Sequence, residues 1–329
     1  MGSVFLDDNI GLKTINGNSI NDHYYGYDSY NSSMIWQLGQ QSQGIIGLTI
    51  TSFGIPINVA FMIVVGRVKS MRTVTNAYLV NLAVADLLHL ITHWSAWLCS
   101  LLDDSACPLK LDKTGMCMMM IISKVMQYVS MLTVTVLSLD RYLAVCRPVT
   151  YKQGFLHKPR VVLHIITIIW ILSMLLTLEI ALPCLGYERV FFLYILAGPM
   201  IFLVVLFASM ITVFVMYSLI VRAVRNAAKR TDNSSHALKS REKQIVRLCM
   251  AMTAVYFLCA VPFLLQILEV VVNPWQQSGI WLSDESVVVL SNVATYSLEF
   301  NSCINPIIYN ALSAKYRQAF ATTFCSCQH

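Results

Sequence analysis

Asp140 and Arg141 stand side by side where an apolar run from Met118 to Leu139 stops and a basic stretch begins. Crossing a bilayer takes about 20 apolar residues, and this run is long enough. A guanidinium at the mouth of a membrane helix is costly unless it reaches water or meets an acid. Arg141 therefore reads in two ways, as a surface anchor or as part of a switch. A second set of reactive groups lies inside apolar runs: Asn58, Asp86, Ser130, Asn301 and Asn305. If the runs pack together, these residues form one polar cluster around a carboxylate. Such a carboxylate is protonated or has a cation near it. The alternative is a satisfied hydrogen-bonding group between helices.

A third set lies nearer the opposite ends of the same runs. It holds Lys124, Glu179, Glu269 and Glu299, with Gln127, Gln266, His93, Trp94, Trp97 and Tyr296 at similar depth. Lys124 and Glu299 are placed to pair across a pocket, since a lone charge there is hard to hold. The tryptophans and Tyr296 fit either that pocket or an interfacial aromatic belt. No nucleophile–base set or metal-ligand spacing appears. His157 and His164 lie without Cys or carboxylate partners, so an enzyme is not expected.

The elements that must position these groups are membrane helices. Of the 329 residues, 57% are hydrophobic and 12% charged, about half the charge of a soluble domain. Seven runs qualify as spans, roughly 43–66, 76–101, 115–139, 161–183, 190–221, 245–272 and 286–310. Pro262 and Pro306 interrupt the last two, which membrane helices tolerate. The fold expected is an all-α membrane protein, a seven-transmembrane helix bundle with a short amphipathic eighth helix. Its parts are residues 1–42, a disordered extracellular N-terminus, 43–312, the bundle, and 313–329, the amphipathic helix and a short cytoplasmic tail. Without an internal repeat a transporter is not favoured.

Most of the 23 lysines and arginines fall between spans one and two, three and four, five and six, or after span seven. These loops are therefore expected in the cytosol and the N-terminus outside. Basic charge so placed reads as a topology signal, and no nucleic-acid partner is expected. No leader is evident in the polar N-terminal stretch, so the first span is expected to act as signal anchor. Asn31-Ser32-Ser33 is then a usable glycosylation sequon, whereas Asn233-Ser234-Ser235 faces the cytosol. Tyr24, Tyr25, Tyr27 and Tyr30 among Asp22 and Asp28 fit a floppy tail, or sites of sulfation or ligand contact.

Taken in order, Asn58, Asn81-Leu82-Ala83-Val84-Ala85-Asp86, Asp140-Arg141-Tyr142, Trp170, Pro262 and Asn305-Pro306-Ile307-Ile308-Tyr309 resemble the motifs of rhodopsin-like (class A) G-protein-coupled receptors. The resemblance covers residues 43 to 321. It implies that Arg141, flanked by Asp140 and Tyr142, engages the active G protein, and that Glu242 is its inactive-state partner. Asp86, Ser130, Asn301 and Asn305 match a sodium pocket, and an allosteric sodium ion at Asp86 is the one cofactor implied. Tyr217 and Tyr309 match two tyrosines that swing inward on activation. Cys117 and Cys184 match an extracellular disulfide. Ser313 to Phe320 looks like the helix lying on the inner leaflet, with Cys325 and Cys327 as palmitoylation candidates.

Met71-Arg72-Thr73-Val74-Thr75-Asn76, Arg241-Glu242-Lys243-Gln244 and Tyr309-Asn310-Ala311-Leu312-Ser313-Ala314 resemble the peptide-receptor branch, including thyrotropin-releasing-hormone, ghrelin and neuromedin receptors. The function implied is a plasma-membrane receptor for an extracellular neuropeptide. The ligand would lie among Lys124, Gln127, Glu179, Gln266, Glu269, Tyr296 and Glu299. The partners implied are a peptide, a heterotrimeric G protein, arrestin and the bilayer. The short tail, with Thr322, Thr323 and Ser326 as its phosphorylation sites, argues against strong arrestin recruitment. The alternatives are a class A receptor for a lipid or other small molecule, or a non-signalling decoy. Two departures stand out. Ala260 occupies the position of the family's sixth-span tryptophan. The fifth span fits two registers, one with Pro199 as the family proline and one with Ser209 there, and the second places Tyr217 at the tyrosine position.

Overall fold

The computed structural model describes residues 22–102, 107, 113–154, 158–184, 191–230, 236–272 and 284–325. The regular structure among them is helical. Helix α1 (Asp22–Arg67) leads through a single 3-10 turn at Lys69–Met71 into α2 (Val74–Leu101). Then come α3 (Lys113–Cys146), the short α4 (Pro148–Gln153), α5 (Pro159–Leu176) and α6 (Leu178–Cys184). Helices α7 (Phe191–Arg230), α8 (His236–Val272), α9 (Asp284–Leu312) and α10 (Ala314–Phe324) complete the chain. Helix α1 begins at Asp22, ahead of the boundary placed at 43, while its membrane-length apolar part opens at Gln41. The side chains of Asn31 and Glu242, and all of Cys327, lie outside the described residues.

Local chemistry sets the helix ends. Thr73 caps α2, its hydroxyl accepting the Asn76 N–H at 3.3 Å. Pro148 and Pro159 stand in the first turns of α4 and α5, where a missing N–H costs nothing. Pro56, Pro199, Pro262 and Pro306 lie inside α1, α7, α8 and α9. Neighbouring helices can satisfy the carbonyls they free.

Helix α3 runs through the centre, touching α2, α5, α7 and α8, and α1 packs along α2 and α9. The outward surface is apolar: Phe214, Leu258 and Val204 are all exposed. In lipid such a surface needs no cover, and packing plus interhelical hydrogen bonds hold the helices together. The inward stripe of α7 is Phe202, Leu206, Ser209, Val213, Tyr217 and Ile220, at helical spacing, while Phe207 points away. The stripe thus carries Tyr217 inward. Helix α10 folds back on the bundle: Tyr316 is buried, donates its hydroxyl to Asn76 Oδ1, and its ring lies 5.5 Å from that of Tyr309.

Six described helices are long and apolar enough to cross a membrane, those of α1, α2, α3, α5, α7 and α8. The seventh, α9, falls short in apolarity because it carries Ser291, Asn292, Thr295, Glu299, Asn301, Ser302 and Asn305. Ser291, Glu299, Asn301, Ser302 and Asn305 take part in the site below.

Gly54 lets α1 approach α9 closely. A Cβ there would stand 2.2 Å from Cys303 Sγ and 2.8 Å from Leu90 Cδ1. Gly54→Ala is therefore expected to cost about 1–3 kcal/mol by overpacking. Melting of the purified protein in detergent checks this, and adding Cys303→Ala should recover most of the loss. An unchanged melting temperature in the single variant would mean that α1 backs away freely.

Candidate functional site

At one end of the bundle Arg141 and Asp140 are both buried, at 8% and 7% exposure. Arg141 Nε donates to Asp140 Oδ2 at 3.0 Å, and its Nη2 meets the same oxygen. The other carboxylate oxygen accepts from the Tyr151 hydroxyl of α4 at 2.8 Å. Burial and the Asp140 charge push the Tyr151 phenol above its ordinary range, so it stays protonated as a donor at neutral pH. The tyrosines of this end, Tyr217 and Tyr309, are buried in the same apolar cluster as Tyr78 and Leu137. Tyr151 was not singled out from sequence; its signal was a tyrosine three residues into the loop after Arg147-Pro148.

Midway through the bundle the expected polar cluster is present. Asp86 is 1% exposed and accepts from Asn305 Nδ2 at 2.9 Å. Ser130 and Ser302 approach the same carboxylate. Asn58 Nδ2 donates to the Ser302 carbonyl at 2.9 Å and to the Gly54 carbonyl at 3.0 Å, tying α1 to α9. Asn81 joins three helices, donating to Thr133 Oγ1 at 2.8 Å and accepting from Trp170 Nε1 at 2.9 Å. Asp86 Oδ1 and Asn301 Oδ1 are buried with no donor among the described residues. An orphaned carboxylate oxygen and an orphaned amide oxygen are the kind of ligand a small hard cation takes.

The third set is arranged differently from expectation. No ion pair joins Lys124 to Glu299 among the described residues. Glu299 is wholly buried and is held by α2: Trp97 Nε1 donates to Oε1 at 2.6 Å, and His93 Nδ1 lies 3.1 Å from the same atom. His93 Nε2 is 2.9 Å from Ser123 Oγ. Lys124 Nζ instead sits over the rings of Phe202, Phe263 and Tyr128, 4.1, 5.5 and 5.8 Å from their centroids. Glu179 is its acidic neighbour. Successive helical residues point about 100° apart. Ser123 therefore faces α2 while Lys124 faces α7 and α8.

The other expected residues divide similarly. Gln266 Nε2 donates to Ser291 Oγ at 3.0 Å. The Tyr296 hydroxyl donates to the Gln43 carbonyl at 3.1 Å, with its ring 5.8 Å from Trp97. Trp94 Nε1 donates to Ser52 Oγ at 2.9 Å, on the α1 side. Gln127 Oε1 and Glu179 Oε2 are buried with no partner among the described residues. Glu269 is half-buried near the end of α8. Two tryptophans assigned to either a belt or a pocket thus make specific contacts, and Trp97 belongs with Glu299.

His89 was missed. It is 4% exposed, both ring nitrogens lack partners among the described residues, and its ring lies 4.3 Å from that of His93. Asp86, His89, His93 and Trp97 follow one another at spacings of three and four along one face of α2. Opposite them on α9 stand Asn305, Ser302 and Glu299. A column of polar side chains therefore runs along α2 between Asp86 and Glu299.

Two disulfides lie at the end of the bundle opposite Arg141. Cys117–Cys184 joins the start of α3 to the end of α6, as the resemblance implied. Cys99–Cys107 ties the last turn of α2 to the chain that follows it and was not foreseen; its signal was two cysteines eight apart across the end of a span.

The pattern of the 7 transmembrane receptor (rhodopsin family) model matches residues 57–309. The chain is 29% identical over 305 residues to somatostatin receptor type 4 of Rattus norvegicus, covering 83% of this chain and 70% of that protein. It is 28% identical over 295 residues to neuromedin-U receptor 1 of Rattus norvegicus, covering 79% and 68%. Somatostatin receptor type 2 of Mus musculus is 26% identical over 301 residues, covering 82% and 73%. The likeness to a neuromedin receptor was legible in the motifs, and that to somatostatin receptors was not.

Proposed function

The chain belongs to the rhodopsin family of seven-transmembrane receptors, a multi-pass membrane protein and not an enzyme, and from this premise we propose that it receives an extracellular neuropeptide and activates a heterotrimeric G protein. The carrying observation is the pairing of a buried Asp140–Arg141 switch at one end with a charged, partly unsatisfied pocket at the other. The similar proteins are receptors named for peptides, somatostatin and neuromedin U. The orientation that fits has the disulfide end and Asn31 outside the plasma membrane and Arg141 in the cytosol. Asn31 is then open to glycosylation, and Cys325 and Cys327 to palmitoylation.

The peptide enters among Lys124, Gln127, Glu179, Gln266, Glu269 and Tyr296. Glu299, wholly buried, acts from behind Trp97 and His93. Contact with Trp97 or His93 changes the hydrogen bonds to Glu299, and the column through His89 carries that change to Asp86. This route runs along α2 and α9 and does not pass through Ala260. In the active state Arg141 turns from Asp140 and Glu242 toward the G protein, α8 swings outward, and Tyr217 and Tyr309 move in beneath it. The ligand shifts this balance only by binding the two states unequally.

A sodium ion fits the central cluster, held by Asp86, Ser130, Asn301 and Asn305; it would supply a positive charge for the buried carboxylate. Asp86→Asn is expected to remove any stabilisation by sodium. Melting in sodium against choline chloride measures it, and a sodium-dependent shift that survives the substitution would exclude this site.

A peptide-library screen with a promiscuous Gα readout tests the whole reading. A peptide that elevates nucleotide exchange supports it. A response confined to lipids or small amines would replace the ligand class, and peptide binding without exchange would make the chain a decoy, the reading that Ala260 favours.

A further inference from the structure

Between α7 and α8 a groove of about 490 Å³ opens on the outward face of the bundle. Its mainly apolar wall is Met210, Val213, Phe214, Tyr217 and Val221 with Ser218 on α7, and Met250, Ala254 and Phe257 with Thr253 on α8. At one end stand Arg222 and Arg225, both exposed, and no acid is among the described residues that line the groove. Arg247, also exposed, lies on the same α8 face as Met250, Ala254 and Phe257 by its helical spacing. Two guanidiniums thus line one mouth of a mainly apolar slot, and a third stands on the helix face that leads to it.

The dimensions match one leaflet. Met210 to Val221 rises about 16 Å along a helix, and half a hydrocarbon core is about 15 Å. The arginines follow directly, at headgroup depth, at the end of the bundle that carries Arg141. Phe214 is 75% exposed, as a side chain facing acyl chains can be.

We propose that this groove is a binding site for an anionic glycerophospholipid, its acyl chain along Phe214 and Phe257 and its phosphates on Arg222, Arg225 and Arg247. Apolar walls alone would take any lipid; the arginine triad selects a negative headgroup. The leaflet is the cytoplasmic one if the orientation proposed above holds, and that is where anionic lipids are concentrated. The site itself does not depend on the identity of the receptor's agonist.

The test uses the full-length chain in phosphatidylcholine nanodiscs. The probe is phosphatidylinositol 4,5-bisphosphate with a photoreactive diazirine on one acyl chain. Labelling is expected in peptides spanning 210–225 and 250–257, competed by the unlabelled lipid and not by added phosphatidylcholine. Arg222→Gln/Arg225→Gln/Arg247→Gln is expected to weaken binding roughly a hundredfold, at about fivefold per arginine near an anionic surface. Ala254→Trp keeps every arginine but fills the slot, and should abolish labelling there. All four positions are exposed, and an unchanged melting temperature confirms that each variant folds. Labelling elsewhere, or equal competition by phosphatidylcholine, overturns the site. So does equal competition by soluble inositol trisphosphate, or full labelling of Ala254→Trp, because then the slot plays no part. Cross-linking of Phe214 to a second copy of the chain would assign the face to dimerisation instead.

Discussion

Arg141→Ala abolishes agonist-driven nucleotide exchange while surface delivery stays near normal; that is the expected result, read by exchange assay and surface labelling in the same cells. Arg141 is buried near the end of α3 and forms an ion pair with Asp140. Removing it leaves Asp140 with the Tyr151 hydroxyl at 2.8 Å, so the carboxylate keeps a donor and the helix keeps its place. What is lost is the cation that, in the mechanism proposed above, turns toward the G protein. Asp140→Asn is the contrasting control. A charge-assisted hydrogen bond is worth about 1.5–3 kcal/mol, so loosening it should raise a minor active population tenfold or more. Full signalling by Arg141→Ala would remove the switch from the mechanism.

Cys117→Ser is expected to have the larger structural effect of the two disulfide losses. The Cys117–Cys184 bridge closes a loop of 67 residues and the Cys99–Cys107 bridge one of 8. Loop-closure entropy then gives about 4 kcal/mol for the first and about 2.5 kcal/mol for the second. The longer bridge also holds α6, whose Glu179 stands beside Lys124 and presses on Gly198. A Cβ at Gly198 would come 2.5 Å from Glu179 Oε2. Cutting the bridge should lower the melting temperature, reduce surface delivery and weaken ligand binding. Cys99→Ser should do so less. The reverse order would show that the loop after α2 is the one that shapes the pocket.

The parts of the site legible in sequence were those whose chemistry is costly in lipid. Asp86, Asn305 and Asn58 announce themselves because a polar group in an apolar run needs a partner, and the structure brings them together. Glu299 and Lys124 announced themselves equally, but their partners did not. Depth can be counted along a run; the direction a side chain takes around the helix axis cannot be read without knowing which neighbour lies there. Lys124 was placed at the right level and on the wrong side. His89 was passed over for the opposite reason, because a single histidine among leucines has many ordinary explanations. Gly47 was invisible altogether. A Cβ there would lie 2.3 Å from Trp97 Cε2, so its missing side chain sets where the indole rests and how it reaches Glu299.

The low apolarity of α9 has a consequence for how the protein is made. A helix carrying Glu299, Asn301 and Asn305 is a poor substrate for direct release from the translocon into lipid, where a central acid costs about 3 kcal/mol. Glu299 and Asn305 are met by a helix synthesised earlier, through His93, Trp97 and Asp86 on α2, and Asn58 on α1 takes the Ser302 carbonyl. Membrane insertion is thus sequential by necessity. The last span waits for the first two, and a substitution on α2 that spoils this reception appears as a biogenesis defect before it appears as a signalling one.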